Sequence, residues 1–298
     1  MKRVLLFLLA LTVVKGWVGA EQIYYPSEKE DRVFLEGLRH RSFYNLAKRY
    51  CSERLERDDL PLAERAILTS ELIVTLNEWS IRTEDSAKRE VYRREAIAVA
   101  EDFCQRFADT DWRLLVSFTD LKYRVTVARA LWEEAELRGD HNQPSGESSA
   151  LGGIREVLRQ VLAAMKRLDA DLQEVLRRPR NRVERDDDPR FTEQQWLSLE
   201  KNLQFELARA FAELARTYPA GNEDHVAGML EAGRRFEVLS QLPLDHPLGI
   251  PSRLELAEIR REIGDLAGAS RILEALSEEK LTIDVRFVVR AERIRIAL

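Results

Sequence analysis

Residues 252–281 read SRLELAEIRREIGDLAGASRILEALSEEKL. Ala257 falls midway along the first half, Gly264-Asp265 interrupts it, and Ala269 and Leu273 lie in the second half. Apolar residues at three- and four-residue spacing on either side of a Gly-Asp break predict two helices joined by a tight turn. The rest of the chain can be read outward from this unit.

The same helical spacing recurs upstream. Leu203, Leu207, Ala210, Phe211, Leu214 and Ala215 form one stripe, with Glu206, Arg209, Glu213 and Arg216 elsewhere on the wheel. Leu121, Val125, Ala128, Leu131, Trp132 and Ala135 form another, and Val157, Leu158, Val161, Leu162, Met165 and Leu168 a third. No stretch alternates long enough to argue for a sheet. Ile283 to Val289 is rich in β-branched residues, but its continuation through Ala291, Ile294 and Ala297 favours a helix. The 13 Gly and 9 Pro of the whole chain are few for a protein of turns and strands.

Breakers divide the pattern into pairs. Asp58-Asp59-Leu60-Pro61 ends one helix and opens the next, and Asp109-Thr110-Asp111 supplies N-caps before Trp112. Polar segments at 139–153 and 179–190 read as loops, as do Tyr218 to Asn222 and Pro243 to Pro247. The expected hairpins cover about 30–57, 60–107, 112–178, 191–242 and 250–278, with a further helix from about 283. Short links make consecutive helices antiparallel neighbours.

An Ala followed four residues later by a bulkier apolar residue recurs in each second helix. The pairs are Ala47 and Cys51, Ala100 and Cys104, Ala164 and Leu168, Ala232 and Phe236, and Ala269 and Leu273. Ala257 recurs as Ala291, 34 residues later, and Ser42-Phe43-Tyr44 stands at the first turn. These features resemble the tetratricopeptide repeat, of the bacterial exported type. The resemblance is good over the last 50 residues and the first 30 after residue 20, while the middle hairpins are longer than 34 residues and lack Gly-Asp at their turns. It implies an all-α fold, a right-handed α-α superhelix of stacked antiparallel hairpins over residues 21–298. It also implies protein or peptide binding without catalysis.

The N-terminus reads as a targeting segment. Lys2 and Arg3 precede the apolar run Val4 to Val14, Lys15 closes it, and Val18-Gly19-Ala20 offers a small-residue cleavage site. The run is shorter than the roughly 20 residues of a membrane-spanning helix. Residues 1–20 are therefore expected to be a cleaved signal peptide, leaving no stable membrane span and placing the protein in the periplasm or outside the cell. Losing Lys2, Arg3 and Lys15 leaves 44 basic against 52 acidic residues, a charge of about −8. A net-acidic chain without a basic stripe is not expected to bind nucleic acid. Acidic residues interspersed with arginines read as a solvated surface.

No catalytic, cofactor or metal site is assigned. His40, His141, His225 and His246 lack metal-ligand spacing and read as surface residues. Asp186 to Asp188 lack the Gly and terminal Glu of a calcium loop. Phosphate-loop, dinucleotide and nucleophile-elbow motifs are missing. Cys51 and Cys104 hold equivalent slots in neighbouring hairpins. Stacked helices lie about 8–10 Å apart, beyond the roughly 7 Å that a disulfide bridges, so two thiols are expected. Trp132 belongs to an apolar stripe, and Trp112 and Trp196, near helix starts, are expected half-exposed.

Two functions fit. One is a non-catalytic interaction scaffold of the cell envelope, holding a partner peptide or helix in a helical-repeat groove. The other is an exported (α/α) toroid enzyme such as a glycosidase or lyase, drawing on Trp platforms and loop acids such as Asp111, Asp140, Asp186 and Asp245. The first accords better with the absence of an acid–aromatic cluster. The final helix, judged by Ala291, starts a hairpin whose second helix does not follow. Either the chain belongs to a longer repeat protein, or this end docks on a partner or self-associates. N-terminal sequencing of exported protein is expected to begin at Glu21, and soluble exported material that retains Met1 would refute the signal assignment.

Overall fold

A computed structural model describes residues 29–138, 150–177 and 192–297. The expected signal peptide at 1–20, Asp140, His141 and Asp186 to Asp188 lie outside them. Among the described residues every regular element is an α-helix. These are α1 (Lys29–His40), α2 (Tyr44–Leu55), α3 (Leu62–Arg82), α4 (Ser86–Arg106), α5 (Trp112–Arg138), α6 (Ala150–Arg177), α7 (Glu193–Arg216), α8 (Glu223–Leu239), α9 (Gly249–Glu262), α10 (Leu266–Ser277) and α11 (Ile283–Ala297). The expected loop at 139–153 ends earlier than its composition suggested, because Ala150 to Gly153 already form the first turn of α6.

Contacts divide the chain into two compact units, one within 24–203 and the other within 204–298, with the boundary inside α7. In the first unit a core of Leu35, Ala47, Cys51, Leu72, Leu76 and Ala96 joins α1, α2, α3 and α4. In the second, Phe205, Ala208, Ala212 and Ala215 of α7 pack with Met229, Ala232 and Phe236 of α8 and Leu256 and Ile259 of α9. A further core unites Leu254 and Ala257 of α9 with Leu273 and Leu276 of α10 and Val289 of α11. Within each unit, neighbouring hairpins thus close their apolar faces on one another. Small residues let the helices approach: Ala47, Ala100, Ala232 and Ala269 are buried, as are Ala257 and Ala291, and Ala164 is half-buried.

The first and fifth hairpins turn by the same device. After α9, the amide of Asp265 donates to the carbonyl of Arg260 at 2.8 Å and that of Gly264 to Arg261 at 3.0 Å. After α1, the amide of Phe43 donates to Leu38 at 2.9 Å and that of Ser42 to Arg39 at 2.8 Å. Both are Schellman closures, which satisfy the last helical carbonyls and need a left-handed residue. That residue is Gly264 (φ 88°) in one turn and Ser42 (φ 61°) in the other. Asp265 then caps α10, accepting from the amide of Gly268 at 2.9 Å. The helix α2 is closed differently, with the Arg65 guanidinium donating to the carbonyls of Leu55 and Arg57 at 2.7 and 2.8 Å.

Both cysteines are free thiols. Burial pushes the Cys51 thiol up to about 12, with nearby Glu71 adding to it. Cys104 is half-buried beside the Ser117 hydroxyl at 3.2 Å.

A Cβ at Gly264 meets no atom within 4 Å, so Gly264→Val tests the backbone conformation alone. The expected cost is about 1 kcal/mol or slightly more in urea unfolding. Ser42→Gly is expected to have the opposite sign, a gain under about 1 kcal/mol, because glycine's freedom in the unfolded chain offsets part of the relief. Unchanged midpoints in both variants would show that neither turn depends on a left-handed residue.

Candidate functional site

The feature most at odds with ordinary helix surfaces is a charged seam along first helices. In the C-terminal unit, Glu206, Arg209, Glu213 and Arg216 recur at intervals of three and four residues and so share one face of α7. Glu255, Glu258 and Glu262 do the same on α9, with Arg261 beside them, and Glu292 and Arg295 on α11. The two α7 arginines reach across to α9. Arg209 pairs with Glu206 at 3.0 Å and lies 3.8 Å from Glu255. Arg216 pairs with Glu213 at 2.8 Å, Glu262 at 3.1 Å and Glu258 at 3.4 Å. From α9, Arg261 reaches Glu292 of α11 at 3.1 Å, and Glu292 also holds Arg295.

Interspersed Glu and Arg predict a solvated face for these α7 charges, and the structure corrects that expectation. The side chains of Glu213 and Glu255 are 2% exposed and that of Arg216 is 5%. From Phe205 onward α7 is apolar on all but one face, and its charged stripe is enclosed with the rest. Burial by itself disfavours the Arg216 guanidinium. The carboxylates of Glu213, Glu258, Glu262 and Glu255 outweigh it and hold the proton more tightly than usual. Glu262 also holds its proton more tightly than usual: burial raises its carboxyl above the ordinary range, Glu258 adds to the rise, and Arg216 opposes it without cancelling it. The two shifts agree physically, since an arginine shared among several carboxylates is held by all of them while it offsets the burial of Glu262 only in part.

The N-terminal unit carries its own seam. Arg39 of α1 donates to Glu71 of α3 at 2.6 Å and to the Thr75 hydroxyl at 3.5 Å, and lies 3.8 Å from Glu78. Its side chain is 6% exposed. Burial opposes its charge, and Glu71, Glu78 and Tyr123 of α5 more than restore it, so its proton too is held tightly. On α5, Arg124 pairs with Asp120 at 2.7 Å, and burial raises the Asp120 carboxyl despite that partner.

The residues weighed for chemistry fall elsewhere. His40 is exposed, and His246 accepts from the amide of Leu248 at 3.1 Å. His225, expected at the surface, is buried, with Nδ1 3.0 Å from the carbonyl of Ala215. Trp112 and Trp196, expected half-exposed, are buried, because each begins a helix whose first turn already packs inward. Trp79 stacks between Tyr44 and Tyr92, with ring centroids 6.1 and 4.1 Å away, so both its faces are occupied. Asp111 is half-buried and Asp245 exposed. Among the described residues no grouping of His, Cys, Asp and Glu could hold a metal ion, and no helix is long and apolar enough to cross a membrane. The seams escaped the sequence reading because Glu and Arg at helical spacing look the same on a wet face and a buried one. The available signal was the apolar character of α7 on the faces flanking its charges.

Compared with family models, curated proteins and solved structures, the chain matches none.

Removing the shared cation tests the seam. Arg216→Met leaves Glu213, Glu258 and Glu262 enclosed with their charges, at an expected cost of about 3 kcal/mol at pH 7. A carboxyl whose folded pKa is raised above its unfolded value stabilises the fold at low pH and loses that contribution as the pH rises through the folded value. Losing Arg216 removes the one cation that opposes the rise at Glu262, so the deficit is expected to shrink as the pH falls from 7 to 5 in urea titrations. An equal deficit at both values would show that the guanidinium acts by packing alone.

Proposed function

We propose that the chain is a non-catalytic protein–protein interaction scaffold of the cell envelope. In this reading it is exported by the signal at 1–20, and its hairpins form a tetratricopeptide-like right-handed superhelix. A partner peptide or helix lies along the face made by the first helices.

One observation supports this most. In each unit, first helices of successive hairpins share an ion-paired seam, α1 with α3 through Arg39 and Glu71, and α7 with α9 and α11 through Arg216, Arg261 and Glu292. Cross-helix ion pairs fix the spacing of those helices, so the surface the helices present beside the enclosed charges keeps one geometry, which favours specific recognition. Repeat arrays recognise extended peptides and helices on such a face. The half-buried Glu78 and Lys122 stand on α3 and α5 of the N-terminal unit.

Site-specific photo-crosslinking in the exporting cell tests the proposal. A photoreactive residue at Glu78 or Lys122 is expected to capture the same partner protein. The same residue at the exposed Arg49 or Arg94 of the second helices α2 and α4 is expected to capture none. Equal labelling from both faces, or none from either, would overturn the first-helix groove. Saccharide cleavage by the purified chain would favour the toroid enzyme instead.

A further inference from the structure

The last helix turns two different faces outward and inward. Val285, Val288, Val289 and Ile296 pack onto Leu254, Ala257, Leu273 and Leu276. On the other side Ile283, Phe287 and Ile294 are each about 60% exposed. Their intervals of four and seven residues place them in one stripe. Alongside it run Arg286, Arg290 and Arg293, all exposed.

On the inner side of the same helix Arg295 pairs with Glu292, and Arg261 joins that pair from α9. Arg286, Arg290 and Arg293 have no acidic partner among the described residues. In a chain of net charge −5, three uncompensated cations beside three exposed apolar side chains form a distinct surface.

Packing register indicates what shape fits there. In α9, Leu256 faces the preceding hairpin, and Ile250, Leu254 and Ala257 face α10 and α11. The 34-residue match of Ala291 to Ala257 does not carry this packing over. In α11 the inward Val285 and Val289 follow Ser252 and Leu256 by 33 residues. At that same offset Ile283, Phe287, Arg290 and Ile294 occupy the places of Ile250, Leu254, Ala257 and Arg261. The exposed stripe is therefore the face against which α9 receives the second helix of its own hairpin.

We propose that this face of α11 docks an amphipathic helix of another protein, one whose apolar stripe is flanked by Asp or Glu. The helix takes the position that α10 takes on α9. Its apolar side chains cover Ile283, Phe287 and Ile294, and its acids meet Arg286, Arg290 and Arg293. Charge complementarity selects this occupant over a second copy, because antiparallel pairing of two α11 faces sets arginine rows against each other. The proposal concerns a different face from the first-helix groove, so either can fail while the other stands.

The test uses the full mature chain and two labelled synthetic helices with the same leucine stripe, one flanked by Glu and one by Lys. Fluorescence anisotropy is expected to show binding of the Glu helix, with the Lys helix at least about tenfold weaker. The double variant Arg286→Glu/Arg290→Glu is expected to reverse that order with an unchanged melting temperature, since both side chains are exposed. Phe287→Ser is expected to weaken both helices. Equal binding of the two helices, or none, by the folded wild-type chain overturns the proposal. So does binding to phosphatidylglycerol vesicles that Phe287→Ser abolishes while the Glu helix is ignored, which assigns the face to a membrane surface. Concentration-dependent dimers lost in Phe287→Ser, again without helix binding, assign it to a second copy.

Discussion

A hairpin of two helices cannot bury its own apolar face, and this constraint governs how the chain is assembled. The cores of both units straddle hairpins. Leu72 of α3 packs with Leu35 of α1 and Ala47 of α2, and Ile259 of α9 packs with Ala215 of α7 and Phe236 of α8. Alanines at the crossing points permit the close approach. Within each unit the order of helices in the chain then becomes the order of packing, and α1 lies beside α3 and α7 beside α9.

That adjacency produces the charged seams. Once α7 is covered on most sides, any charge it carries must find an opposite charge close by, because an enclosed ion without a partner costs several kcal/mol. Arg216 meets three carboxylates from two helices, and Arg39 meets two from a neighbouring one. Such networks add less stability than an apolar core of the same volume would, and what they supply is geometry. Turning α9 about its axis, or sliding it by half a turn, would take Glu258 and Glu262 away from Arg216. The seams thus fix register between helices whose apolar faces, rich in alanine, would tolerate sliding. This is the property that an interaction surface built from several helices requires.

The outer face of α11 shows the same rules from the opposite side. Its inward half obeys them, with valines in the core and Glu292 paired to Arg261 and Arg295. Its outward half sets an exposed apolar stripe beside three arginines that have no acidic partner among the described residues.

Much of this was determined by sequence alone. Helical spacing and breakers located five hairpins and a final helix to within a few residues, because the period of 3.6 and the chemistry of Gly, Pro and Asp act locally. The Gly264 turn and the Ala-plus-four pairs were legible for the same reason. Ser42 was placed at its turn, but its left-handed conformation was not readable, since serine does not announce it as glycine does. Tertiary structure decided the rest. It buried Glu213, Arg216, His225, Trp112 and Trp196, which composition had assigned to partly or wholly wet positions. It also set the packing of α11 one residue away from the 34-residue match at Ala291. Helical periodicity specifies which residues share a face, but whether that face meets water, carbon or an opposite charge depends on helices distant in the chain.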